Sequence, residues 1–216
     1  DPKRDNPYID DYITEPFEGA VYVQDKIELP YLVINIGLRF DYVNANVEFR
    51  SRPLDPNSIV RVKSRSQFSP RLGISHPISD KTKLRFSYGY FFQNPDFERL
   101  FENNQYDLNV REPLFGQPSL DAERTISYEV GISHQFSDNV AWNLTAYYRD
   151  ITGLIGTRYL FPFVDGRYTG YTLYVNEDYA NNKGFEITVD VRPNKYFSGG
   201  LTYTYSVAKG SASSET

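Results

Sequence analysis

Two stretches of this chain are near copies of one another, and together they restrict what it can fold into. GISHPISDKTKLRFSYGY runs from Gly73 to Tyr90, and GISHQFSDNVAWNLTAYY from Gly131 to Tyr148. Gly, Ile, Ser, His, Ser, Asp and the final Tyr recur in place. Each copy has an alternating apolar run, a Ser-Asp turn and a second alternating run, the pattern of an antiparallel hairpin. In the second copy Ile132, His134, Phe136, Trp142, Leu144, Ala146 and Tyr148 share one face, while Ser133, Gln135, Asn143, Thr145 and Arg149 share the other. Side chains alternate sides along a strand, so a sheet of such hairpins is oily on one side and wet on the other.

A soluble sandwich covers its oily face with a second sheet and has short connections at both ends. Here Ser-Asp turns close one end, whereas long polar and aromatic runs follow Phe92 and Leu154 at the other. That asymmetry points to an all-β fold, a transmembrane antiparallel β-barrel segment of about eight strands with short periplasmic turns and long outer loops. The setting it implies is the outer membrane of a Gram-negative cell, with lipid against the oily face. Nineteen Tyr and fifteen Phe suit the aromatic girdles of such a barrel. A mean hydropathy of −0.54 is compatible with it, because half of each strand faces water. No run of about eighteen apolar residues exists, which excludes a spanning helix. The net charge of −5 comes from interspersed signs, without the basic stripe of a nucleic-acid binder. Absence of Cys excludes a disulfide scaffold and a thiolate metal site. The chain opens at Asp1 with no initiator Met, so it reads as a piece of a longer, processed protein.

Taken in order, residues 1–16 read as a loop, and Phe17 to Leu29 alternates too loosely to say whether Val21 or Tyr22 faces out. Leu32 to Tyr42 is the cleanest strand, and residues 45–66 form a long loop. The repeat hairpins occupy Phe68–Ile78 with Lys83–Phe92, and Thr125–Phe136 with Val140–Ile151. Pro70 ordinarily signals an edge, and its place near the loop end keeps the strand. In the second loop Asn94 can cap and Pro95 can open a short helix bearing Phe97, Leu100 and Phe101; an irregular loop is the alternative. A third, aromatic loop leads to a strand over Gly184–Arg192, a turn at Pro193-Asn194-Lys195 and a last strand over Phe197–Tyr205. No domain boundary interrupts residues 1–216. If the Ser-Asp turn pairs Phe136 with Trp142, Ile132 faces Ala146 and Glu129 faces Arg149 on the wet side. Arg71 and Phe91 hold the equivalent places upstream.

Several segments, in order, resemble the barrel of TonB-dependent outer-membrane receptors: Tyr22-Val23-Gln24-Asp25, Gly37-Leu38-Arg39-Phe40-Asp41, Ser69-Pro70-Arg71-Leu72-Gly73 and Tyr88-Gly89-Tyr90-Phe91-Phe92. They continue with Pro118-Ser119-Leu120 and Glu123, Tyr128-Glu129-Val130-Gly131, Tyr147-Tyr148-Arg149-Asp150 and Asn182-Lys183-Gly184-Phe185-Glu186. The variants FSPRLGIS and SYGYFFQ look most like receptors with a carboxypeptidase-regulatory-like domain before the plug. The resemblance implies a barrel of about twenty-two strands around an N-terminal plug. It also implies import of a scarce ligand (siderophore, vitamin, glycan or peptide) driven by the inner-membrane TonB complex, with a surface lipoprotein or other outer-membrane subunit as a further partner. A barrel that scaffolds a surface complex without transport, and a soluble carbohydrate-binding β-sandwich, are the competing readings.

Chemistry is sparse. His76 and His134 share one slot of the repeat on the oily face near the turns, an interfacial position, and neither phosphate-loop nor zinc spacing occurs. No enzyme, cofactor or metal site is expected, and Asp10-Asp11 and Glu177-Asp178 read as solvated loop carboxylates. On the wet face Arg39, Asp41, Arg71, Arg85, Glu129, Arg149, Glu186 and Asp190 are expected to line the lumen, where they serve a ligand path or a plug; a wall whose charges neutralise each other is the alternative. Gly37, Gly73 and Gly131 share that face and admit close approach of another backbone. In the third loop Tyr159, Phe161, Phe163, Tyr168, Tyr171 and Tyr174 are the candidate ligand surface, against the alternative of aromatics packing the loop on itself.

Overall fold

The computed structural model describes residues 13–108, 113–164, 166–193 and 197–211. Its elements are β1 (Phe17–Leu29), β2 (Leu32–Asn44), β3 (Glu48–Arg50), β4 (Ile59–Arg61), β5 (Arg65–Ser79), β6 (Thr82–Gln93) and α1 (Phe97–Phe101). They continue with β7 (Leu114–Phe115), β8 (Glu123–Ser137), β9 (Val140–Leu160), β10 (Phe163–Val164), β11 (Arg167–Tyr168), β12 (Tyr171–Val191) and β13 (Gly199–Gly210). The long strands form one antiparallel sheet in the order β1-β2-β5-β6-β8-β9-β12-β13. The short β7 joins β12 in parallel, and β3-β4 and β10-β11 are small hairpins within the outer loops.

Register sorts the sheet into two chemistries. One rung runs Ile27, Ile34, Ile74, Phe86, Val130, Ala146, Phe185, Tyr205; a wet rung three residues away runs Gln24, Gly37, Arg71, Gly89, Ser127, Arg149, Asn182, Ala208. Val21 pairs with Phe40 and Tyr22 with Arg39, so Val21 is the outward residue of β1. Among the described residues the hydrophobic clusters lie in the loops and no second sheet covers the oily face, and Val130 on it is 48% exposed. Among the described residues no helix is long and apolar enough to cross a membrane; the strands themselves have the length to cross.

Aromatic contacts on the oily side drift steadily across the rungs. Phe40 meets Phe68 on β2-β5, Tyr88 meets Tyr128 on β6-β8, and Phe185 meets Tyr203 and Tyr205 on β12-β13. From the first pair to the last the row descends about six residues, roughly 20 Å, across about five strand spacings, roughly 24 Å. A level girdle therefore requires strands tilted by about 40°, the tilt of a closed barrel.

The register expected for the repeat hairpins is shifted by two residues. Ile132 faces Leu144, Glu129 faces Tyr147 and His134 faces Trp142, and upstream Arg71 faces Gly89. Asp138-Asn139 and Asp80-Lys81 make tight turns between Ser137↔Val140 and Ser79↔Thr82, and Phe136 and Ile78 bulge out beside them. The bulge removes a residue from the ladder while keeping each side chain on its expected face.

Two strands outrun their expected ends. β9 continues past Ile151 to Leu160 and β12 begins at Tyr171, well before Gly184. Gly153 (φ 70°) and Glu177 interrupt the alternation, yet Ile155↔Asn176 resumes the register of Thr152↔Tyr179, so pairing survives where periodicity fails. The short helix exists, but its N-cap is Asp96, without a side-chain cap bond, and Pro95 precedes it. Pro70 lies just past the last β5-β6 rung at Arg71, which suits a residue with no backbone donor. Asp10-Asp11, Asp165 and the Asn194-Lys195 turn lie outside the described residues.

Candidate functional site

All eight charged candidates fall on the wet face. Arg39 binds Asp41 through Nε and Nη2 at 2.8–3.0 Å. Arg149 reaches Glu129 diagonally at 3.3 Å, so the expected pair forms although the two residues are not opposite each other. Arg71 makes the same diagonal to Phe91, its guanidinium 4.8 Å from the ring centroid. Glu186 accepts a hydrogen bond from Thr204, and Asp190 faces Gly200. Arg85 projects over Gly131, where an added Cβ would lie 3.7 Å from its Nη2. Gly37 and Gly73 belong to the same face.

Sequence reasoning passed over the aromatics of this wall. A side chain at Gly89 would overlap the Phe91 ring, and one at Gly184 would meet the Tyr147 hydroxyl at 2.8 Å. The Phe91 ring and the Tyr147 hydroxyl thus take the space that side chains at Gly89 and Gly184 would need, and Arg149 lies 5.1 Å from the Tyr147 ring centroid. Asn182, facing Arg149, keeps a buried Oδ1 with no partner. The signal for this was in the repeat, since Gly89 and Tyr147, and Phe91 and Arg149, hold matching places.

The buried hydrophobic clusters lie at the outer end of the sheet. Ala45, Phe49, Val62, Leu100, Phe101 and Leu120 form one, against Ile155 and Tyr174; Phe115, Tyr171 and Leu173 form another, against Leu54, Tyr106 and Leu160. Segments from three hairpins therefore pack into a single cap, with Phe115 0% exposed. Polar stitches hold it. The Asn176 amide donates to Asp121 O and Gly153 O while its Oδ1 accepts from Asp121 N. Arg65 Nε lies 3.1 Å from Asp121, and Glu123 accepts from Ile155 N beside the Gly153 bulge. Tyr174 donates to Glu102 at 2.9 Å, and burial, aided by that bond, pushes its phenol up to about 12.

The six aromatic candidates divide between this cap and its tip. Tyr171 is 7% exposed and stacks edge-on against Phe115, and Tyr174 is half-buried, so these two pack the loop on itself. Tyr159, Phe161, Phe163 and Tyr168 are exposed and stack on one another, Phe161 and Tyr168 nearly parallel at 5.3 Å. Glu177 is engaged by Arg158, and Asp178 accepts from Ser211. Among the described residues no cluster of three potential metal ligands occurs.

A sheet apolar on one side, charged on the other, with tight turns at one end and a packed cap at the other, is the wall of an outer-membrane β-barrel. Residues 2–216 match the family model described as TonB dependent receptor-like, beta-barrel, and the chain belongs to that family. It is 24% identical over 215 residues to the TonB-dependent heme receptor A of Haemophilus ducreyi, covering 91% of this chain and 29% of that protein. Similar solved structures include the Serratia marcescens hemophore receptor HasR in complex with its hemophore HasA and heme (TM-score 0.70, 16% identity, 90% of this chain and 34% of that one). The siderophore receptor PirA of Pseudomonas aeruginosa is another (TM-score 0.64, 21% identity, 89% and 34%). The chain thus spans about three tenths of the curated relative's length.

Proposed function

We propose that the intact protein imports a scarce ligand across the outer membrane of a Gram-negative bacterium, using energy from the TonB complex, and that residues 1–216 are part of its single barrel domain. One observation carries this reading: eight charged side chains share the face opposite a lipid-compatible, uncovered apolar face. On this reading that charged face is the lumen wall, a plug domain with a carboxypeptidase-regulatory-like segment before it fills the lumen, and Tyr159, Phe161, Phe163 and Tyr168 meet ligand outside. The uncovered apolar face speaks against the soluble sandwich. The site has no constellation suited to catalysis.

The test is uptake. Haem, from the curated relative's name, is the first ligand to try, followed by ferric siderophores, vitamins, glycans and peptides. Import that requires both this gene and an intact TonB complex is expected. Surface assembly without import of any of them would favour the scaffold reading.

A further inference from the structure

The wet face contains a shallow hollow of about 390 Å³. Its lining includes residues too small to fill it, Gly37, Gly73 and Gly89 with Ser87 and Ser127, beside Arg71, Asn35 and Glu129. Phe91 lies over Gly89 and carries the exposed Arg71 guanidinium against its ring, so the cation has a ring and not a carboxylate as its neighbour. A second hollow, about 460 Å³, adjoins it on the far side of Arg71 and Phe91.

The carboxylates around Arg71 are committed elsewhere. Asp41 is bound by Arg39, and Glu129 by Arg149. Asp25 borders the hollow, but it pairs with Ile36 on the opposite face and its Oδ1 accepts from Lys26 N. Glu18 lines the second hollow together with Arg71 but forms no ion pair with it. Arg71 has no ion-pair partner among the described residues, and neither have Arg85 and Lys83, which follow on β6. The two repeat copies make the point internally: the diagonal that is an Arg-Glu pair in one is an Arg-Phe stack in the other. A guanidinium covered on one side by a ring and without a carboxylate partner is open to bidentate capture of an oxyanion.

The structure assigns an oxyanion-binding site to Arg71 on its Phe91 shelf, facing the Gly37-Gly73-Gly89 hollow, for a carboxylate or phosphate group. The assignment rests on this face being the lumen wall. The carboxylate has two possible sources, a small anionic ligand or an acidic side chain of a protein segment lying inside the barrel.

The experiment uses the intact receptor with citrate as probe, measured by calorimetry, alongside single-channel conductance in planar bilayers. Labelling of Arg71→Cys by a water-soluble thiol reagent reports on the lumen reading separately. With a free anion as the source, Arg71→Gln weakens citrate binding tenfold or more, Phe91→Leu weakens it several-fold, and Arg149→Gln changes it less than threefold. With an internal acidic side chain as the source, citrate does not bind, while Arg71→Gln raises conductance and Arg71→Lys restores the closed level. Citrate binding that is absent or unchanged in Arg71→Gln and Phe91→Leu, together with unchanged conductance in both, overturns the assignment, even where Arg71→Cys is labelled.

Discussion

Replacing Val130 by Arg tests the membrane reading most directly. Val130 is 48% exposed and lies between Phe86 and Ala146 on the oily face. On β8 it sits between Tyr128 of the aromatic row and His134, which packs against Trp142 near the turn, and these two are six residues apart. At about 3.3 Å per residue and a tilt of about 40°, this separation is roughly 15 Å vertically, and Val130 is within about 3 Å of its middle. An Arg at the midplane of a barrel's lipid face costs roughly 2–4 kcal/mol, falling to about 0–1 near the interfaces. Were water outside, so exposed a site would respond by less than about 0.5 kcal/mol. The expected cost of about 3 kcal/mol is two orders of magnitude in the folding equilibrium, readable by guanidinium titration of the intact receptor in lipid vesicles. Phe136→Arg, at the turn, is expected below about 1 kcal/mol, and Asn143→Arg, on the wet face, near zero. Equal costs at Val130 and Asn143 would refute the reasoning.

Gly116→Ala is expected to destabilise the outer cap by about 1–3 kcal/mol, because its Cβ would lie 2.5 Å from Glu102 N and 2.8 Å from the Leu100 carbonyl; faster proteolysis of the loops checks it. Tyr174, outside the membrane span, has its pKa raised from 10 to about 12. Its contribution to cap stability is therefore full below pH 10 and lost as the pH rises through about 12. Tyr174→Phe should abolish that alkaline loss, as followed by loop protease protection against pH. Single cysteines at Asn57 and Asn103 are expected to react with an impermeant thiol reagent on whole cells, and cysteines at Asp80 and Asp138 only after the outer membrane is opened. Labelling at the turns of intact cells would reverse the orientation.

The strands that lie wholly within the membrane span were legible because each obeys one period, with one face in lipid and one in water. Leu32 to Tyr42 and the first repeat hairpin were found to within a few residues. Periodicity failed where bulges carry the chain across: Gly153 and Glu177 hide the upper halves of β9 and β12, and Phe136 and Ile78 shift the register by two. The shift spared the Glu129-Arg149 contact because long side chains span a diagonal. Of the site, the shared face was readable, and Phe91 over Gly89 is local to β6, whereas the contact of Tyr147 with Gly184 depends on which glycine lies across the ladder. In Pro118-Ser119-Leu120 with Glu123 the spacing now has a cause. Pro118 O accepts from Arg65, Leu120 is buried in the cap, and Glu123 serves the Gly153 bulge. Asn176 gave no signal, because its partners are backbone groups far away in sequence.

The cap also carries a consequence for assembly. Phe49, Leu100, Leu120, Ile155 and Tyr174 meet in one cluster although they come from the connections after β2 and β6 and from β9 and β12 themselves. No single hairpin can close this cluster, and the loop-closure cost is recovered only when the strands beneath stand in their final order. Cap formation is therefore a late event that reads strand order. A barrel with one hairpin misplaced would expose Phe101 and Phe115 to surface proteases, so the same contacts that shape the outer face can mark unfinished copies for removal.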